Sequence, residues 1–164
     1  MSAKAVIAVL ADLTKLHKTF NEIAREKTDV IQKNDMPALD VLIKKEGALI
    51  HQLRKLEQDR MIVVEEYLKS KGLVTEGVTM DQLLELAPKE EQPILTKIHR
   101  ALMSEIDKLK QNNELNQQLI EDSLRFVNLS LDLMAPEPDD VTYQRPMQKN
   151  YEAGSSRSIF DSKA

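Results

Sequence analysis

The sequence predicts an all-α fold: an elongated, antiparallel, coiled-coil-like bundle of three long helices, with one short extra helix and a disordered C-terminal tail. Apolar residues recur at spacings of three, four and seven through the first 134 positions, the period of a helix face. Four glycines and six prolines in 164 residues leave few places for the chain to break. Leu, Ile, Val and Phe are also divided unevenly, 43 before residue 135 and only Val141, Ile159 and Phe160 after it. A segment so poor in apolar residues, and holding Pro136, Pro138 and Pro146, cannot bury enough surface to offset its ordering entropy. Residues 1–134 are therefore expected to form the bundle and residues 135–164 a disordered arm.

The first helix is expected over residues 2–33. Val6, Leu13 and Phe20 form one row, Leu10, His17, Ala24 and Ile31 a second, and Val9, Leu16, Ile23 and Val30 a third. Three adjacent rows suit a helix covered on more than one side. Asn34 and Asp35 supply stop and N-cap chemistry, and Pro37 suits a first turn. A second helix over 36–71 carries Leu39, Leu42, Leu49, Leu53, Leu56, Val63 and Tyr67, flanked by Ile43, Ile50 and Val64, with Gly72 as its C-terminal cap. Thr79 and Gln82 have capping-box spacing at the start of a short helix over 80–87, which Pro88 ends. The fourth helix is expected over 89–134, with Leu95, Ile98, Leu102, Ile106, Leu109, Leu119, Ile120, Leu124, Val127 and Leu131 on its stripe and Pro93 near its start. Short connections make neighbours antiparallel, and the fourth helix should outrun the hairpin of the first two.

Composition excludes several functions. No cysteine means no thiol nucleophile, disulfide or cysteine-ligated metal, and 23 basic against 27 acidic residues argues against a nucleic-acid footprint. No long apolar run or signal-peptide pattern is present, so a soluble, cytoplasmic chain is expected. Neither Glu-x-x-His pairs nor hydrolase, zincin or nucleotide-binding motifs occur; no enzyme activity, cofactor or metal is expected. His17 reads as a packed core residue, and His51 and His99 as surface residues.

Two polar interruptions stand out. Glu46 and Arg60 share the register of Leu39, Leu53 and Tyr67, and read as solvated ends beside a seam. In the fourth helix Asn112, Asn113 and Asn116 fall at or beside stripe positions. They read either as a polar waist that sets register or as a locally exposed face.

The run Glu46, Leu49, Ile50, Leu53, Leu56, Glu57 and Arg60 resembles the E-x-x-L-L-x-x-L-x-x-L-E-x-x-R pattern of FlgN-type flagellar export chaperones. Asn113, Asn116, Leu119 and Ile120 are similar to that family's N-x-x-N-x-x-L-L run. The resemblance implies a non-enzymatic cytoplasmic chaperone of flagellar type III export. Its clients would be hook-associated (hook-filament junction) proteins, held by their C-terminal amphipathic helices. On this reading Leu119, Ile120, Leu124, Val127, Leu131 and Met134 are the candidate client-binding residues; the competing reading packs them on the first helix. The resemblance also implies docking on the cytoplasmic domain of the export gate through a tyrosine beyond the last helix, Tyr143 here, with Tyr151 as rival. Weak homodimerisation is compatible with it, and a structural adaptor that self-associates through the same stripe is the alternative.

Removing residues 135–164 should leave helical ellipticity and the melting temperature unchanged. Loss of cooperative melting in the truncated chain would contradict a disordered arm.

Overall fold

The computed structural model describes residues 3–73 and 77–135, which form four helices: α1 (Lys4–Gln32), α2 (Met36–Ser70), α3 (Met80–Leu86) and α4 (Gln92–Met134). No strand occurs among the described residues. The expected arm, apart from Ala135, lies outside them, as do Tyr143 and Tyr151.

Local chemistry sets the ends. After α1, Asn34 takes the left-handed conformation (φ 56°), and the Asn34 and Asp35 amides donate to the carbonyls of Ile31 and Val30. This double bond closes the helix in the Schellman manner. Asp35 then caps α2, its carboxylate accepting from the Ala38 amide at 3.1 Å, with Pro37 in the first turn. Gly72 (φ 70°) repeats the α1 ending, with Gly72 and Leu73 donating to Lys69 and Leu68. Thr79 and Gln82 complete a reciprocal capping box on α3. The fourth helix starts at Gln92 instead of Lys89, because the amides of Glu91 and Gln92 both turn back to the Pro88 carbonyl. Pro93 therefore sits in the first turn, where its missing amide costs no helical bond.

The first helix is the shared element, packing against both α2 and α4, and α3 packs on α4. Hydrogen bonds from α1 to α4 join residues 84, 88, 91 and 92 apart in sequence. So constant a separation means that α1 and α4 run parallel, with α2 returning between them in direction. With 29 residues in α1 and 43 in α4, the lengths are about 44 and 65 Å. In that register α1 ends level with about residue 122, and the remainder of α4 projects past the α1–α2 turn.

The main core sits at the other end. Val6, Leu10 and Leu13 of α1 meet Val64, Tyr67 and Leu68 of α2, Leu83 of α3, and Leu95 and Leu102 of α4. Tyr67 is fully enclosed, and its hydroxyl donates to Glu91 Oε2 at 2.6 Å. Burial pushes the Tyr67 phenol well above its ordinary range, and the Glu91 bond and charge add to this. The same bond, helped by the Ala3 amide and Lys71, holds the Glu91 carboxyl below the usual carboxylate range against the opposing effect of burial.

A carboxylate with a depressed folded-state pKa adds stability that is complete above its unfolded value and lost as pH falls through the folded value. Tyr67→Phe should thus cost about 1–3 kcal/mol at neutral pH. It should also shrink the stability lost on acidification, as measured by thermal melts at neutral and acidic pH.

Candidate functional site: an open groove and a projecting helix

Midway along the bundle, buried amides join α1 to α4. Asn21 Nδ2 donates to the Glu105 carbonyl at 2.9 Å and to Glu105 Oε2 at 3.0 Å, while Asn21 Oδ1 accepts from Asn112 Nδ2 at 3.1 Å. A few residues on, Asn116 Nδ2 donates to the Ala24 carbonyl at 2.8 Å, and Asn116 Oδ1 accepts from the Thr28 hydroxyl at 2.6 Å. Lys108 pairs with Glu105 and, together with Asn21, holds that carboxyl below its usual range despite burial. Each buried polar group in this belt therefore meets a partner, as burial demands. Asn113 does not join it: it is exposed and faces α2 across a gap.

That gap is an open, largely apolar groove. A groove of about 600 Å³ runs between α2 and α4, floored by Ile31 and Lys27 of α1. Its α2 wall is Leu39, Ile43, Glu46 and Ile50, and its α4 wall is Asn113, Asn116, Gln117, Ile120 and Glu121. The local sequence explains why it stays open. The α4 wall presents amides where an interlocking bundle would place apolar knobs, so nothing on α4 fills the spaces beside Ile43 and Ile50. Glu46 is not solvated as its position suggested: both its oxygens accept from Lys27 Nζ, at 3.0 and 2.8 Å, with side chains only 14% (Lys27) and 20% (Glu46) exposed. Once α2 is anchored to α1 by this pair, its charge is satisfied and it can lie in the groove wall. Arg60 instead pairs with Glu57 on its own helix.

The sequence-derived candidates divide between two neighbouring surfaces. Ile120 lines the groove, and Leu119 is half-buried beside Asn34, in a shallow cleft shared with Val127. Leu124, Val127, Leu131 and Met134 are exposed, each by half or more. Phe126, Leu129 and Leu133 are exposed as well, so the projecting turns carry a broad apolar face, reaching 81% exposure at Leu133 and interrupted by a polar strip of Arg125, Asn128 and Asp132. A face of that kind normally packs against other elements. Sequence reasoning missed the α2 half of the groove. The sequence pattern puts Leu39 on the α2 stripe with Ile43 and Ile50 flanking it and marks none of them as a binding residue, whereas the amides opposite them, Asn113 and Gln117, are the sign that α4 does not cover them.

The histidines are not equivalent. His17 is buried, its Nδ1 bonding the Leu13 carbonyl at 2.8 Å beside Phe20. His99 is not a plain surface residue: it lines a cleft between α3 and α4, Nε2 lies 3.8 Å from Asp81 Oδ1, and its buried Nδ1 has no described partner. Among the described residues no three acidic or histidine side chains gather as a metal site would require. Nor is any described helix long and apolar enough to cross a membrane.

The fold and the site define an all-helical bundle with an open apolar groove and an exposed apolar helix end. The sequence model of the FlgN protein family matches residues 1–150, and the chain belongs to the FlgN family of flagellar chaperones. It is also similar to a Bacillus subtilis (strain 168) protein named "Uncharacterized protein YvyG", at 28% identity over 164 residues and the full length of both chains. No solved structure matches it.

Replacing the amides should rank their structural weight. Asn21→Ala, which takes a hydrogen-bond partner from both Glu105 and Asn112, should cost about 1–3 kcal/mol in urea unfolding, whereas Asn113→Ala should stay within about 0.5 kcal/mol of the parent.

Proposed function

We propose that this chain is a cytoplasmic chaperone of flagellar type III export. It would hold the C-terminal amphipathic helices of hook-associated (junction) proteins and deliver them to the cytoplasmic domain of the export gate. The observation that carries this reading is an open groove with Leu39, Ile43, Ile50, Ile31 and Ile120 in its lining, next to exposed Leu124, Val127, Leu131 and Met134, which follow Ile120 along α4 at spacings of three and four. From Leu39 to Ile50 the lining is about 16 Å long, and from Leu124 to Met134 the helix adds about as much again. Together they would hold a client helix of about 20 residues, which would lay an i, i+3, i+4, i+7 face against them. Family membership supplies the flagellar context.

On this reading the belt of Asn112 and Asn116 has the task of fixing register. It holds α4 in one position along α1, so that the projecting turns always begin at the same height. Asn113 contributes a polar groove wall instead. Tyr143 is the proposed gate-docking residue, with Tyr151 as rival; both lie beyond the described residues.

A full-length chain mixed with the last forty or so residues of a junction protein should form a one-to-one complex by calorimetry. Leu124→Asp and Ile43→Asp should each weaken it by about tenfold or more, with unchanged circular dichroism. Absence of binding at micromolar concentrations would leave the self-associating adaptor as the better reading.

A further inference from the structure

Of the two asparagines in the Asn113–Asn116 run, the fold uses only one. Asn116 commits its amide to the Ala24 carbonyl and its oxygen to the Thr28 hydroxyl. Asn113 lines the groove, is exposed, and makes no side-chain hydrogen bond among the described residues. Gln117, one turn further along the same wall, donates to Glu121 Oε1 at 3.0 Å. That carboxylate meets no cation among the described residues, because Lys27 is taken by Glu46 and Arg125 by Asp122. The α4 wall thus presents an amide and a carboxylate eight residues apart, about 12 Å along the helix, with no matching partner from the chain itself.

We propose, resting on the reading of this groove as a client site, that Asn113 and Glu121 are its specificity-determining residues. The occupant they select is an amphipathic helix with a basic flank. Its apolar face lies on α2. On the flank facing α4 it carries an Asn, Gln, Ser or Thr level with Asn113 and a Lys or Arg level with Glu121, seven or eight positions away.

The two walls then have different tasks. Ile43 and Ile50 supply apolar contact, which grows with covered area and separates one leucine-rich helix poorly from another. Discrimination comes from α4. Asn113 and Glu121 stand exposed in the open groove, and a helix laid over them takes water away. It must return a hydrogen bond and a positive charge, or leave both groups unpaired. Since an unpaired group costs more than a formed pair gains, the wall acts mainly by rejecting the wrong helix. The rejection also has a sign. Lys27 and Glu46 cancel, which leaves Glu121 as the net charge of the lining, so a helix with an acidic flank meets like charge.

Calorimetry of the full chain with the last forty or so residues of a junction protein tests this. If the α4 wall were passive, Asn113→Leu would add apolar area and leave binding equal or tighter. As a selector, Asn113→Leu should weaken binding about tenfold and Asn113→Gln should restore most of it. Both variants should keep parental ellipticity and melting, since Asn113 bonds no described residue. Glu121→Lys should also weaken binding about tenfold and abolish its loss between about 50 and about 500 mM NaCl. Glu66→Lys, exposed toward the far end of α2, should do neither. Among segments with single Lys or Arg residues changed to Glu, one should bind Glu121→Lys better than it binds the parent. Absence of such a rescue would overturn the charge pairing. Parental binding that Asn113→Leu and Glu121→Lys leave within about twofold would overturn the selector while the client site stands. A parent chain that does not bind the segment would overturn the client site and the selector with it.

Discussion

The amide belt between α1 and α4 is the interaction on which the other features depend. Apolar seams tolerate a slide of one turn, because leucine on leucine is nearly the same contact one position along. Buried amides do not, since a shift would separate Asn21 and Asn116 from the partners they bond across the interface. The belt thus holds α4 to a single height on α1. That height decides how much of α4 projects beyond the turn. The adjacent amides, Asn113 and Gln117, decide that α2 is not covered by α4 at the same level.

Two unlike ends result. At one, four helices contribute to the core around Tyr67 and Leu10, and α3 closes it. At the other, α2 is held through Leu42, the Lys27–Glu46 pair and the turn at Asn34, while its other face stands open. Opening motions should therefore be easier at the groove end, where fewer apolar side chains are buried. A binding surface located there can adjust to its occupant without disturbing the core that keeps the bundle folded.

The all-helical class and the helix ends were legible because they follow from local chemistry. A left-handed Asn34 or Gly72, an Asp35 cap and a Thr79–Gln82 box each depend on residues only a few positions apart. Which helix covers which stripe is not local. The periodicity of α4 marks an apolar face from Leu95 to Met134, but it is the same pattern whether α1, α2 or nothing lies opposite. The partners of the asparagines were hidden for a related reason. Asn21 and Thr28 are single polar residues on a helix with a broad apolar stripe, and only the fold brings them to Asn112 and Asn116. Glu46 likewise seemed a solvated stripe edge until Lys27, nineteen residues earlier, was placed beside it. His99 escaped notice because α3, which covers it, is too short to announce its docking position.

The groove's two walls constrain what can occupy it. One is made of amides and carboxylates, so a helix seated there gains apolar contact chiefly from α2 and from Ile120. An amphipathic client that adds hydrogen bonds to Asn113 and Gln117 while covering Ile43 and Ile50 would use both walls. A helix without polar side chains would leave those amides unpaired wherever it excluded water, at a cost that offsets part of its apolar gain. That difference in chemistry, more than any difference in area, is what would let the site choose a client helix over indiscriminate apolar contact.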